Sequence, residues 1–276
     1  MPEILQTEPA PAGADLRDWR VSLKGERLFL GTVAVLFLVS AGVTIYSCRA
    51  MSGGMPMPGG WTMSMAWMRI PGQTWLVATA SFLKVWVVMM VAMMLPSLVP
   101  MLLRYRRAVR GQADVSLGQL TALSAAGYFF VWSIVGIAIY PLGVFLSAKE
   151  MQSPTLQRFV PLGIGVVLLL AGAMQLTTWK IRWLTRCRNT PICGLSRSSA
   201  LTAWRHGLYL GVDCSLCCAG FMIVLIVADL MSLTYMAALT AAITAERFAP
   251  KPRRMAGMIG VVLVAVGAFA IARAVK

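Results

Sequence analysis

The stretch Leu76–Met101, read as LVATASFLKVWVVMMVAMMLPSLVPM, decides the fold class, because it is apolar over the whole length of a membrane-crossing helix. Only Lys84 interrupts it with a charge. Seven such runs occur along the chain: Leu28–Tyr46, Leu76–Met101, Ala122–Leu146, Phe159–Trp179, Gly207–Leu230, Met231–Phe248 and Met255–Val275. They predict an all-α, polytopic transmembrane helix bundle with about seven spans. The sixth run is short and begins almost where the fifth ends, so a buried helix that does not fully cross is the alternative there.

The composition favours a membrane protein over a soluble domain. Of 276 residues, 58% are hydrophobic and only 13% are charged, about half the charged share of a soluble domain. So few charges do not cover the surface of a soluble domain of this length. The net charge of +15 fits basic loops that meet anionic lipid heads. We therefore expect a lipid bilayer, and no nucleic acid, as the partner of this charge.

Lysine and arginine in the connections predict the orientation, because cytoplasmic loops carry the excess of both. Summed over alternate connections, the two sides hold 18 and 6 basic residues. The N-terminus is therefore predicted to be cytoplasmic and, with an odd number of spans, the C-terminus periplasmic. This is the pattern of a multi-pass protein of the bacterial inner (cytoplasmic) membrane.

The domain organisation is expected to be simple. Residues 1–27 are polar, contain Pro2, Pro9 and Pro11, and are predicted to form a disordered cytoplasmic tail. Residues 28–276 are predicted to form a single transmembrane helical domain with a Met-rich external loop at 47–75. The first apolar run is longer than the core of a cleaved signal peptide and starts farther from the N-terminus, so we interpret it as an uncleaved signal-anchor.

The residues needed for enzymatic acid–base chemistry are scarce. The sequence has neither a phosphate-binding glycine loop followed by Lys-Ser/Thr nor a Gly-x-Ser-x-Gly motif. The chain has one His and ten acidic residues, which leave few groups for general acid–base catalysis and favour a protein that is not an enzyme. The chain is instead rich in sulfur, with 19 Met and six Cys.

The first sulfur cluster lies in the external loop, among Gly and Pro residues. Thioethers are soft, neutral ligands that suit Cu(I), and a flexible loop could wrap such an ion. The loop therefore predicts external metal capture by Met51, Met55, Met57, Met63, Met65 and Met68. The alternative is an irregular loop whose methionines lie on the membrane surface.

The second cluster lies in the second run. At 100° per residue, Met90, Met94, Ser97 and Met101 share one helical stripe, and Met93 flanks it. This stripe predicts a surface that is packed or faces a ligand. Packing is the alternative to ligation, since Met fills irregular gaps in protein interiors.

The third cluster is the most specific. Cys214, Cys217 and Cys218 fall within about 100° of one helix face, beside an intramembrane Asp213. Ionisable residues inside a membrane are costly and usually functional. Three thiols on one face therefore predict a metal or redox site, although single buried cysteines are ordinary core residues.

The second and fifth runs are expected to build one site. Met94 lies about 10 Å from the inner end of its helix, and Cys214 lies about 10 Å from the inner end of an antiparallel one, at 1.5 Å per residue. His206, Asp213 and Glu246 are accessory candidates, with interfacial anchoring or pairing to neighbouring arginines as the alternative for His206 and Glu246. Cys187 and Cys193 lack the close spacing of a structural zinc site.

The sequence resembles the bacterial family called domain of unknown function 2182. The resemblance runs from about Val85 to Pro250 and rests on two motifs and two shorter matches: Met93-Met94-Leu95-Pro96-Ser97 with Met101, Cys214-x-x-Cys217-Cys218 followed by Met222, His206-Gly207, and Glu246-Arg247, where the family often has Glu-Lys. Trp183 stands where the family often has a Cys, and Ala219 where it commonly has an aromatic residue. The resemblance implies a metal-binding integral membrane protein of a family sometimes called copper chaperones.

The function predicted on these grounds is Cu(I) handling, meaning copper delivery, sensing or transfer to a partner. Thioether and thiolate ligands favour Cu(I) over metals that want oxygen, and zinc is the less favoured alternative. The partner is then a metalloprotein client or a small metal-carrying protein. Two other functions stay open: a transporter of a metal or small solute, and a membrane thiol-redox enzyme.

Overall fold

The computed structural model describes residues 14–51, 55–57, 61–63, 67, 72–109, 116–188 and 199–275. Within these ranges the chain forms eight helices and two three-residue strands: α1 (Ala14–Met51), β1 (Met55–Met57), β2 (Trp61–Met63), α2 (Trp75–Val109), α3 (Leu117–Gln152), α4 (Pro154–Gln175), α5 (Thr178–Arg188), α6 (Ala200–Ala228), α7 (Leu233–Phe248) and α8 (Pro252–Ala274). The strands form a small antiparallel hairpin between α1 and α2. The predicted all-α class is confirmed.

Six of the described helices are long and apolar enough to cross a membrane: α1, α2, α3, α4, α6 and α8. The sixth apolar run corresponds to α7, which has 16 residues. Such a helix is about 24 Å long, less than the roughly 30 Å of hydrocarbon in a bilayer. The count of seven spans therefore stays a prediction.

α2 and α6 form the centre of the bundle. Of their most apolar windows, 56% and 61% of residues are buried, against 6% in α1 and 17% in α8. α6 packs against α3, α4, α5 and α7, whereas α2 packs against α1, α3 and α7. The two central helices are therefore joined mainly through α3 and α7.

Small residues allow α3 and α6 to approach closely. A Cβ atom on Gly207 would lie 2.1 Å from the backbone oxygen of Ser124, and one on Gly211 would lie 3.0 Å from the backbone oxygen of Tyr128. Contacts of this kind let helix backbones touch, as is common between membrane helices. The two contacts also show that α3 and α6 run parallel.

Both central helices are longer than the runs that predicted them. α2 continues past Met101 to Val109, and α6 begins at Ala200 instead of Gly207. Ser199 caps this earlier start by accepting a hydrogen bond of 3.3 Å from an amide of the first turn. Each helix gains about two turns at the same end of the bundle, so the Met and Cys clusters remain at comparable levels.

The N-terminal segment differs from the expected tail. α1 begins at Ala14, so the second half of residues 1–27 is helical, while residues 1–13 lie outside the described part of the chain. The prolines of this segment end at Pro11, and the residues that follow include good helix formers such as Leu16 and Arg17.

The segment after the fourth run also differs. We expected a basic cytoplasmic loop from Lys180 onward, but residues 178–188 form α5, which packs against α6. Its buried residues are Lys180, Leu184 and Cys187, which lie on one helical face. Lys180 is therefore part of the interior and carries no topological information.

Candidate metal centre

Three cysteines line the buried face of α6. Cys214, Cys217 and Cys218 are 0%, 2% and 1% exposed. The Sγ atoms of Cys214 and Cys218 are 4.0 Å apart, because side chains four residues apart lie on the same helix face. These thiols are free, as are the other cysteines of the described ranges.

A buried guanidinium lies against these thiols. Arg247, in the last turn of α7, donates a hydrogen bond of 2.8 Å from Nη2 to the Sγ atom of Cys214. The same nitrogen is 3.8 Å from the Sγ atom of Cys218. Its Nη1 atom is 3.5 Å from the Sδ atom of Met101 on α2. One cation thus joins the sulfur atoms of α2 and α6.

A fourth thiol comes from α5. Cys187 is fully buried and makes side-chain hydrogen bonds with Cys214 and Cys217. These hydrogen bonds, together with burial, raise the pKa of the Cys187 thiol. Cys187 therefore keeps its proton and donates it towards the α6 sulfurs.

An ion pair closes the site on the side of α5. Lys180 Nζ is 2.8 Å from Oε2 of Glu246, and both side chains are 2% exposed. The same Nζ donates a hydrogen bond of 2.8 Å to the backbone oxygen of Cys217. Burial alone would lower the pKa of Lys180, but the negative charges of Cys217 and Glu246 outweigh burial and raise it. The ammonium group therefore stays protonated beside the thiols.

α3 contributes a phenol. The hydroxyl of Tyr128 shares a hydrogen bond of 2.9 Å with the Sγ atom of Cys214, and Tyr128 is fully buried. The close approach of α3 to α6 at Gly207 and Gly211 places this ring. Cys214 is therefore contacted from α3, α5 and α7 as well as from its own helix.

The methionine stripe of α2 faces the interior as predicted. Met90, Met93, Met94 and Met101 are all buried and belong to the same buried cluster as the α6 cysteines. Met101 is joined to the thiols through Arg247. The other three lie deeper along α2, and their ligation stays a prediction.

Two accessory candidates have partners away from the thiols. The His206 ring stacks on Tyr105 with 4.8 Å between ring centroids. The Asp213 carboxylate pairs with Arg186, at 3.2 Å from Nε to Oδ1. Glu246, the third candidate, does lie at the site, through Lys180.

Four of the six external methionines lie within the described residues, and two lie outside them. The hairpin places Met55 opposite Met63 through backbone pairing, and Met57 ends β1. Met51 ends α1. Met65 and Met68 lie outside the described residues. External capture by this loop stays a prediction.

The cluster combines soft sulfur donors with cationic side chains. Thiols and a thioether suit Cu(I), and cationic side chains can offset the charge of bound thiolates. Within the described residues, no group of three or more His, Cys, Asp or Glu side chains is arranged to hold a metal ion. Arg247 instead lies between the sulfur atom of Met101 and those of Cys214 and Cys218, which would have to approach one another to bind one metal ion.

Sequence reasoning missed four residues of this cluster: Tyr128, Lys180, Cys187 and Arg247. One signal for two of them was present, because Lys180, Leu184 and Cys187 follow the i, i+4, i+7 spacing of a buried helix face. Arg247 was noted as a neighbour of Glu246 and in the Glu246-Arg247 family match, without a role at the thiols, and Tyr128 carries no local signal.

Long apolar helices surrounding a buried group of thiols and charges define a polytopic α-helical membrane protein with a sulfur-rich interior. The family model described as PpoB2, copper chaperone, matches residues 83–270, and the chain belongs to this family. The match covers α2 to α8 almost completely, including every residue of the thiol cluster. No curated protein and no solved structure matches the chain.

Proposed function

We propose that this chain is a copper chaperone of the bacterial inner membrane that binds Cu(I) at Cys214, Cys217 and Cys218 and passes it to a metalloprotein client. The observation that carries the proposal is the meeting of sulfur atoms from α2 and α6 around the Arg247 guanidinium. Membership of a copper chaperone family supports copper as the metal. We also infer that this family and domain of unknown function 2182 are one family.

The ligands of the proposed site are soft. Cu(I) accepts two or three sulfur ligands, and thiolates bind it better than they bind metals that prefer oxygen. Cys214 and Cys218 are the first pair, since their Sγ atoms already lie 4.0 Å apart. Met101 is the nearest thioether, while Met90, Met93 and Met94 extend the sulfur stripe along α2. Zinc is less favoured because neutral Met would then have no role.

The experiment measures Cu(I) affinity in purified protein by competition with a coloured Cu(I) chelator. We expect Cys214→Ser and Cys218→Ser each to lower the affinity by about a hundredfold, roughly 3 kcal/mol. Cys48→Ser is the matched control, because Cys48 is an equally buried free thiol at 2% exposure, near the Asp229 end of α6. Full copper binding by the Cys214→Ser/Cys218→Ser double variant would refute the site.

The external loop is proposed as a capture site that feeds this centre. Replacing Met55, Met57, Met63 and Met65 with Leu should then slow copper uptake from the outer side when copper is scarce, without changing the amount of copper bound at the inner site. An unchanged uptake rate would leave the loop without a role in copper capture.

A thiol-redox enzyme is the second candidate, because Cys187 contacts both Cys214 and Cys217. That function requires reversible disulfide formation among these thiols in the absence of metal. Counting free thiols across a series of redox buffers separates the redox enzyme from the chaperone, because only the redox enzyme requires the thiols to form a disulfide reversibly without metal. A transporter, the third candidate, requires copper flux into proteoliposomes, whereas a chaperone gives binding without flux.

A further inference from the structure

A pocket opens at the end of the bundle where α2, α5 and α7 terminate. It is a small pocket that is open to the outside, and its walls are Pro100, Met101, Arg104, Arg188 and Arg247. Three of these five residues carry a guanidinium and none carries a carboxylate. The pocket therefore concentrates positive charge, which fits an anionic ligand, and the thioether of Met101 forms part of its wall.

The arginines of the pocket are held in place by backbone carbonyl groups. Arg188 donates from Nη1 to the backbone oxygen of Ala249 at 2.7 Å, just past the end of α7. Arg104 donates from Nη1 to the backbone oxygen of Arg188. Each guanidinium has five N–H donors in a planar fork, so donors remain that match a carboxylate in bidentate geometry.

The pocket and the buried thiols lie on either side of one guanidinium. Arg247 is shared between the two, since it lines the pocket and contacts the sulfur atoms of Cys214 and Cys218. Met101 is likewise a wall of the pocket and a neighbour of Arg247. A metal complex held in the pocket therefore lies next to the sulfur atoms of the proposed site.

We propose that this pocket receives Cu(I) as an anionic bis-thiolate complex of a small, carboxylate-bearing thiol. The inference rests on the proposed copper function and names the form in which the metal is exchanged at the pocket end of the bundle, opposite the external loop. The three guanidinium groups bind the carboxylates and the negative charge of the complex. Arg247 gives up its contact with Cys214 as the metal enters.

The transfer is a ligand exchange without electron transfer. A sulfur of Cys214 or Cys218 forms a bond to Cu(I) as one carrier sulfur leaves, and the second exchange follows in the same way. Each leaving carrier thiolate takes the proton that the cysteine thiol gives up. Copper stays Cu(I), and the unit of copper with its two thiolate sulfurs carries one negative charge before and after the exchange.

The test compares two carriers of the same size. Protein in a neutral detergent is mixed with Cu(I) bound to glutathione, or to the same tripeptide with both carboxylates amidated, and copper transfer is followed by ultraviolet thiolate-to-copper absorption. We expect uptake from the anionic carrier to be about tenfold faster or more. The advantage should shrink at high salt, because ions screen the attraction.

Charge variants locate the effect. Arg104→Glu should slow uptake from the anionic carrier, and Arg104→Lys should retain most of the rate. Arg107→Glu is the matched control, since Arg107 is an exposed arginine of the same helix turn that does not line the pocket. Size-exclusion elution identifies any variant that fails to fold. If Arg104→Glu fails, Arg188→Gln tests the same effect, because it also removes a positive charge from the pocket and should also slow uptake from the anionic carrier.

The outcomes separate the two levels of the proposal. Equal uptake from both carriers, or equal effects of Arg104→Glu and Arg107→Glu, would overturn the carrier inference while copper binding stands. An advantage that is abolished by a small amount of anionic lipid would assign the pocket to a lipid headgroup and overturn the inference as well. If the wild-type protein takes up no copper from either carrier, the proposed function itself fails.

Discussion

Lys180 and Glu246 form an ion pair in which each side chain is only 2% exposed, and this burial decides what their removal costs. Lys180→Met leaves a buried carboxylate without its partner, which typically costs about 3–5 kcal/mol. The Lys180→Met/Glu246→Gln double variant should recover much of that loss, because no charge is left unpaired. Thermal unfolding in detergent micelles, followed by tryptophan fluorescence, measures the two effects.

Arg186→Met is the control for the Lys180→Met variant. Arg186 also pairs with a carboxylate, that of Asp213, but its side chain is 61% exposed. Water reaches the Arg186 end of this pair, although the Asp213 side chain is only 7% exposed, so this variant should lose clearly less stability than Lys180→Met. A Lys180→Met variant as stable as Arg186→Met would show that Glu246 is not charged in the folded protein.

At the scale of single residues, the sequence was informative where a pattern was local. The α6 cysteines and the α2 methionines repeat at helical spacing, so their common buried faces could be predicted. Arg247 and Tyr128 reach the thiols only because α7 and α3 pack against α6. A single sequence contains no record of which helices become neighbours, so neither contact could be predicted.

At the scale of elements, the parallel contact of α3 and α6 depends on glycine. Gly207→Ala would place a Cβ atom 2.1 Å from the backbone oxygen of Ser124, so the helices would have to separate. Overpacking of this kind costs about 1–3 kcal/mol. The Tyr128 hydroxyl would also move away from Cys214, so we expect a lower unfolding temperature together with weaker copper binding.

Gly257→Ala is the matched change within a helix. A Cβ atom on Gly257 of α8 meets no other atom within 4 Å. Alanine is the better helix former by about 1 kcal/mol, so this variant should be neutral or more stable. If Gly207→Ala behaved in the same way, the close approach of α3 and α6 would not be needed for folding.

The helices themselves were predictable to different degrees. Long apolar runs located the six membrane-length helices, because such runs have few other stable forms. α5 was missed because its 11 residues are strongly basic, and only the spacing of its three buried residues distinguishes it from a loop. Helix ends were missed because capping residues such as Ser199 lie outside the apolar runs.

At the scale of the whole molecule, contacts between helices place the two ends of the chain. The backbone oxygen of Gly25 in α1 accepts a hydrogen bond of 3.3 Å from Arg106 of α2. α1 therefore begins at the end of the bundle where α2 terminates. This is the same end at which the arginine pocket opens.

The end of α8 lies at the opposite end of the bundle. α4 leads into α5, whose last residue, Arg188, contacts Arg104 at the pocket end. α8 runs antiparallel to α4, since Gly172 approaches Gly260 and Gly165 approaches Gly267. α1 therefore starts at the pocket end and α8 finishes at the other end, which is the arrangement expected for the predicted odd number of crossings.

Reporter fusions convert this arrangement into a test of orientation. A reporter that is active only in the periplasm should be active near Gly60 and after Lys276, and silent near Gly111 and Ser198, because basic residues are concentrated on the side of the last two. Activity at Gly111 with silence at Gly60 would invert the orientation. The pocket would then open to the periplasm, and a cytoplasmic carrier could not reach it. A reporter that gave the same result at Gly111 and after Lys276 would contradict the odd number of crossings and require α7 and α8 to be placed differently relative to the membrane.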